Sequence, residues 1–339
     1  MQHKMSPGPL HDARGRLAEP GYATAEVKRY SRSGVKAPKW RLKEWDYYCV
    51  NTPDFALALT VADNGYMGFL GTAWMDFQAG TAINGAAMMG FPMGRMGLPP
   101  SADAGDVEAA FGGISLAFRH EAGGRRLVVD DPGFGGGQGL KGEIVLTDTP
   151  TDRMVIATPF PNAPKAFYYN QKINCLRAEG EVVLGGQVKR FSPDSAFGVL
   201  DWGRGVWTYD NTWYWGSASG LHEGPRFGFN IGHGFGDTAA ATENMVFVDG
   251  VAHKLGEVTF HLPKGAHDSG PWRFTSDDGR FEMSFEPIVD RASATDLKLI
   301  RSVQHQVFGR FSGTVVLDGG ETLQVRDLIG FAEEVENRW

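Results

Sequence analysis

Two cysteines, Cys49 and Cys175, are all that the 339 residues contain. That is too few for a disulfide framework, and it suits a reducing compartment. No apolar run reaches the 18 residues that a membrane-spanning helix needs. Residues 1–21 lack the apolar stretch of a signal peptide, so a cytoplasmic protein is expected. Positive charge is in deficit: 33 Lys and Arg against 40 Asp and Glu leave a net charge of −7. Attraction to nucleic-acid phosphates or to anionic lipid is therefore not expected. Metal and nucleotide signatures are missing as well. The histidines show no metal-ligand spacing, with His261 and His267 the only close pair, and there is no P-loop or nucleophile elbow. The glycine runs at 133–137 and 232–236 lack the strand–helix context of a dinucleotide site. No cofactor and no metal are expected.

Windows long enough for a helix are scarce too, because 46 glycines punctuate the chain. Only Asp103–Phe111 reads as a short helix. Between the glycines the apolar residues alternate, as in Ile114, Leu116 and Phe118, in Phe281, Met283 and Phe285, and in Leu323 and Val325. A period of two marks a strand with one buried face. Turn pairs separate these runs: Asn64-Gly65, Gly123-Gly124, Gly185-Gly186, Asp249-Gly250, Asp278-Gly279 and Gly319-Gly320. The chain is expected to be all-β, with few short helices.

The sequence also echoes itself. Gln171–Gly186 laid over Gln304–Gly319 matches Gln171, Arg177, Gly180, Val182, Val183, Leu184 and Gly186 with Gln304, Arg310, Gly313, Val315, Val316, Leu317 and Gly319. With one deletion the match continues, Gly198 over Gly330 and Asp201 over Glu333. This suits two copies of one antiparallel barrel or half-barrel, closed or packed so that few strand edges stay exposed. The expected division is an extension over 1–40, a first β-unit over 41–193 and a second over 194–339.

Residues 198–244 gather the candidate chemistry. Four of nine tryptophans lie between Trp202 and Trp215, with Tyr209 and Tyr214 among them and Asp201, Arg204, Asp210, His233, Asp237 and Glu243 threaded through. Aromatic walls with a few polar groups suit a pocket for an apolar ligand. The same tryptophans could equally be core, with the charges on loops. Asp201 follows Phe197-Gly198-Val199-Leu200 and precedes Trp202, which places it on or near a strand end facing inward. A carboxyl there is costly unless paired, and burial raises its pKa toward that of a general acid. Arg204 is the nearest candidate partner. An Arg would hold Asp201 ionised and apolar walls would keep it protonated, so its charge state stays open. Met88, Met89, Met93 and Met96 form an adaptable apolar stretch, either a lid over a cavity mouth or a long packed loop.

Tyr168-Tyr169-Asn170-Gln171, Gly180 and Gly198-Val199-Leu200-Asp201 together resemble a pattern of the lipocalin-like hydratase and cyclase superfamily, which includes carotenoid hydratases and kievitone hydratase. Asn170 stands where that pattern has Ser, and Asp201-Trp202-Gly203-Arg204 where it has Asp-His-x-Trp. A longer set of motifs resembles the domain of unknown function 2804 family. It comprises Arg41–Asp46, Asp201–Gly205, Trp213-Tyr214-Trp215, Gly228–Gly232, Thr242-Glu243-Asn244, Gly330–Glu333 and Asn337-Arg338-Trp339. The resemblance implies two lipocalin-like barrels around or beside a hydrophobic cavity. It also implies hydration, dehydration, isomerisation or ring closure by proton transfer, without an organic cofactor. On that reading Asp201 moves the proton, and Glu243 or His233 is its complement. Tyr168, Tyr169, Trp213, Tyr214 and Trp215, with Gln171 beside them, contact a hydrophobic small molecule, and Arg204 and Asn230 orient Asp201 or hold a polar substrate group. A non-catalytic carrier of such a ligand is the alternative, and a protein with a filled interior would be neither.

Overall fold

The computed structural model describes residues 2–147, 149–296 and 300–338, so Trp339 of the closing motif lies outside the described residues. Two antiparallel sheets account for most of the chain, one a nearly closed barrel and the other a half-barrel. The first contains β1 (Leu42–Asn51), β2 (Phe55–Asp63), β3 (Met67–Asp76), β4 (Thr81–Gly90), β5 (Val107–Phe111), β6 (Ile114–Glu121), β7 (Gly124–Asp131), β8 (Leu140–Thr147), β9 (Met154–Phe160), β10 (Ala163–Leu184), β11 (Gln187–Phe191) and β12 (Phe197–Val206). Their main order is β4-β3-β2-β1-β12-β10-β8-β7-β6-β5, with β9 and β11 also paired to β10. The second contains β13 (Asp210–Leu221), β14 (Arg226–His233), β15 (Met245–Val248), β16 (Val251–Lys254), β17 (Val258–His261), β18 (Trp272–Ser276), β19 (Phe281–Asp296), β20 (Arg301–Val316) and β21 (Thr322–Arg338). Their order is β16-β15-β14-β13-β21-β20-β19-β18-β17.

The two orders are the same arrangement used twice. β1 to β4 correspond to β13 to β16, β10 to β20, and β12 to β21. The echo between Gln171–Gly186 and Gln304–Gly319 therefore falls on equivalent strands. One matched pair shows why the residue type repeats. Gly180 and Gly313 sit at φ of +147° and +157°, and a Cβ on either would stand 2.3 or 2.1 Å from the carbonyl oxygen of Glu143 or Glu282 on the neighbouring strand. Only glycine lets the two backbones approach this closely.

All six glycine pairs lie at turns between paired strands. Asp103–Phe111 is not a helix. Val107–Phe111 is a strand paired with β6, because a neighbouring strand outweighs the weak helical preference of so short a segment. Phe134–Gly137 closes a single turn, in which Gly135 and Gly136 take left-handed φ of +61° and +75°. The first sheet includes Phe197–Val206, so the sheets part between Val206 and Asp210, later than the 193/194 division expected.

One continuous core spans the two sheets and includes Trp215, Phe308 and Phe331 of the second, while a second core fills the half formed by β13 to β21. The sheets are also fastened by polar contacts. At a bulge in β10, Cys175 takes a φ of +62°. There Asn174 Nδ2 donates to Ser217 Oγ (2.8 Å) and the Cys175 amide donates to Ser219 Oγ (3.0 Å). The N-terminal extension adds Gly21–Ala23 to the edge of β9, and its His3 amide donates to Ala240 O (2.8 Å). No helix among the described residues is long and apolar enough to cross a membrane.

Candidate active site

Two rows of side chains, one from each sheet, meet face to face. In the first, Lys172 (β10), Asp201 (β12) and Tyr47 (β1) are neighbours in register, so all three point to the same side. In the second, Gln306 (β20), Glu333 (β21) and Trp215 (β13) are neighbours in the same way. Asp201 and Glu333 are the pair that the internal echo superposes. The rows touch. Lys172 Nζ lies 3.7 Å from the centre of a Trp215 ring, the Tyr47 and Trp215 rings meet edge to face at 5.9 Å, and Tyr47 OH donates to Gln306 Oε1 (3.2 Å). Between the rows lies a cavity of about 380 Å³. Its aromatic wall is Trp45, Tyr168, Trp207, Trp213, Trp215 and Phe235. Gly203 makes room for Trp45, whose ring occupies the position a Cβ would need, at 2.0 Å.

The charges are buried and coupled. Lys172 Nζ pairs with Asp201 Oδ2 at 2.8 Å, and Asn170 Nδ2 donates to Asp201 Oδ1 at 2.7 Å. Asp201 is 7% exposed and Lys172 1%, so neither is solvated well enough to stand alone. Glu333 accepts from Trp213 Nε1 (3.2 Å), Gln304 Nε2 (3.3 Å) and Gln306 Nε2 (3.1 Å). Burial pushes its carboxyl up to about 7, against the pull of Lys172. Glu243 is one layer back, accepting from Tyr168 OH at 3.3 Å. Burial raises it to about 7 as well, with Lys172 opposing and Asp201 adding to the rise.

These shifts have a consequence for stability. In the unfolded chain both glutamates ionise near 4.5, whereas in the fold they hold their protons to about 7. The native state therefore binds more protons over that window. Its stability is full below about 4.5 and falls as pH rises through 7. Glu243→Gln removes one such group, so the loss of unfolding free energy between pH 5 and pH 8 should shrink by roughly 2–3 kcal/mol relative to wild type. Denaturant titrations at the two pH values measure it. Equal losses in both proteins would show that Glu243 ionises normally in the fold.

Of the residues expected at the site, Asp201, Tyr168, Trp213 and Trp215 line the cavity. Asn230 supports it from behind, accepting from Trp215 Nε1 (2.7 Å) and donating to Glu243 O (3.0 Å). Arg204 does not orient Asp201. Three residues apart on a strand, the two point to opposite faces. Arg204 instead pairs with Asp46 (3.0 Å), lies over Trp202 and bonds Pro99 O. Tyr169 and Gln171 share that outer face, Tyr169 donating to Lys28 O (3.0 Å) and Gln171 to Glu26 Oε2 (2.6 Å). Tyr214 also points away from the cavity, bonded to Glu334 and stacked on an exposed His233 at 4.5 Å. The residues missed are Lys172, Glu333, Tyr47, Trp45 and Trp207. Two signals for them were present: Lys172 shares the parity of Tyr168, and Glu333 is the echo of Asp201.

A cluster of His267, Asp290 and His305 brings potential metal-ligand atoms within 4.8 Å of one another. Each imidazole already has its own carboxylate, His267 with Glu334 (2.6 Å) and His305 with Asp290 (2.7 Å). The rings lie cofacial at 3.9 Å and 6°, so a single ion could not sit in both ring planes without one ring turning out of the stack.

A family model described as domain of unknown function (DUF2804) matches residues 2–339. No curated protein matches the chain. Among solved structures, a protein provisionally named AttH from Nitrosomonas europaea is 14% identical, with a TM-score of 0.51 over 91% of this chain and 97% of its own. Kievitone hydratase from Nectria haematococca is 9% identical, with a TM-score of 0.47 over 87% and 88%. At 14% identity the likeness to the Nitrosomonas protein is one of fold.

Proposed function

The chain belongs to the DUF2804 family, and we propose that it is a cofactor-independent acid–base enzyme acting on a hydrophobic unsaturated or aromatic small molecule. The observation that carries this reading is the pair of carboxyls, Asp201 and Glu333, one from each sheet, that line the same aromatic-walled cavity and both feel the charge of Lys172. A container for an apolar ligand gains nothing from buried charge, which weakens apolar binding and costs stability. An enzyme that protonates carbon needs a carboxyl still protonated near neutral pH, together with a base to accept a proton.

In this scheme Glu333, with its raised pKa, is the proton donor. The rings of Trp45 and Trp213 in the wall would stabilise a developing carbocation. Asp201, held by Lys172 and Asn170, accepts the proton of an attacking water in a hydration, or a proton from a neighbouring carbon in an isomerisation. Glu243 acts through Tyr168 as a positioning residue.

The test is turnover of a panel of hydrophobic alkenes, polyenes and aromatic alcohols, read by mass spectrometry for gain or loss of water and by chromatography for isomers. The wild-type protein should convert at least one class, and folded Asp201→Asn should lose about 100-fold or more of that rate. Binding across the panel without conversion by the wild type would favour a carrier. Undiminished turnover by Asp201→Asn would remove Asp201 from the chemistry.

A further inference from the structure

Eight large apolar side chains stand exposed among the described residues, and three of them lie on segments that meet beside the cavity: Trp40 (49% exposed), Met88 (61%), which lines it, and Phe91 (63%). Backbone contacts bring their segments together. The Phe91 amide donates to Tyr66 O (2.8 Å) and the Met93 amide to Gly65 O (3.1 Å). Gly65 in turn packs so tightly on residues 39–40 that a Cβ would stand 2.6 Å from Trp40 O. Met88, paired with Phe69 across β3 and β4, lines the cavity itself, as do Phe69 and Asn64. The apolar patch and the cavity rim are therefore continuous.

Charge on this face runs against the rest of the molecule. The chain carries a net −7, yet segments 36–41, 64–69 and 88–97 contain Lys36, Lys39, Arg41 and Arg95 and no acidic residue. Lys36, Lys39 and Arg95 are exposed. Asp63, a carboxylate that these segments engage, is buried and accepts the Gly94 amide at 2.7 Å. The turn that carries Phe91 is also held in an unfavourable shape: Phe91 and Met93 take φ of +50° and +52°, where non-glycine residues are uncommon. Strain of this kind persists only where surrounding bonds over-determine it, as the three amide bonds at Phe91, Met93 and Gly94 do here.

We propose that this face docks on an anionic bilayer surface, with Trp40, Met88 and Phe91 entering the interfacial region and Lys36, Lys39 and Arg95 meeting the lipid headgroups. Amphipathic rings and long apolar side chains flanked by cations are the composition that such interfaces retain. Docked this way, the cavity mouth opens toward the membrane, the phase in which a hydrophobic ligand is dissolved. The ligand route rests on the proposed function, but lipid binding does not, so the two can fail separately.

The experiment is co-sedimentation of the full chain with phosphatidylcholine vesicles, with and without phosphatidylglycerol, at low and high salt. Binding should require the anionic lipid and should weaken as salt screens the cations. Trp40→Ser combined with Phe91→Ser should reduce partitioning by about tenfold or more, while Val188→Ser, an exposed apolar residue on β11, should not change it. Circular dichroism and melting confirm that each variant is folded. Absence of binding to anionic vesicles at low salt would overturn the proposal. So would binding that the double variant leaves unchanged, or a patch whose substitution dissolves a dimer and leaves lipid binding absent.

Discussion

Lys172→Met should destabilise the protein by about 3–5 kcal/mol at pH 8, the largest stability effect expected of any single site-lining residue. Lys172 is the cation that offsets Asp201 directly at 2.8 Å and opposes the pKa rise of both Glu243 and Glu333. Methionine fills much of the same volume, so the cost is electrostatic and not a cavity. Its pH dependence identifies the cause. At pH 5 the two glutamates are protonated in the fold, so the variant should recover the part of the loss that comes from them, while the part that comes from the unpaired Asp201 remains. At pH 8 they must ionise without a partner or hold their protons at further cost. Adding Glu333→Gln to Lys172→Met should return part of the stability at pH 8, because it removes a charge that the lysine was offsetting. A destabilisation independent of pH would mean that Lys172 does not offset the two glutamates and acts only through Asp201 or packing.

Glu333→Gln should cost about 10²- to 10⁴-fold in turnover, the range a positioned general acid supplies, with little change in ligand affinity. Glutamine keeps the shape of the carboxyl, and its single oxygen can still accept from Gln304 and Gln306, while its NH2 replaces the acceptor that faced Trp213 Nε1; melting confirms that the variant is folded. In the wild type the rate should fall as pH rises through about 7, because the proton donor is then lost. The variant should lack that limb. Equal loss of binding and turnover would make Glu333 a binding residue.

How much of this was legible in the sequence differs residue by residue. The glycine pairs located hairpins because a two-residue turn needs backbone angles that few other residues adopt. Asp201 was legible because a carboxylate between an apolar run and a tryptophan has no solvated place to go. Arg204 was misplaced through nearness in sequence, although strand parity alone puts it on the far face. Lys172 escaped notice because a lysine reads as a surface residue unless its partner is known, and that partner arrives by pairing of β10 with β12. Glu333 was visible only as the echo of Asp201. Its meaning came from the two sheets packing their equivalent rows together. The nearness of His267 and His305 depends wholly on tertiary packing, and no local pattern foreshadows it.

Proton transfer to or from carbon in this cavity, as proposed, leaves an isotopic trace. The most direct measurement is deuterium incorporation: wild-type protein is incubated in heavy water with the panel of hydrophobic unsaturated compounds, and the recovered compounds are analysed for carbon-bound deuterium by mass spectrometry. Deuterium is expected at a single carbon position of at least one bound compound, and is expected to be lost on Glu333→Gln. Compounds that bind the wild type and return with no carbon-bound deuterium would contradict the proposed transfer.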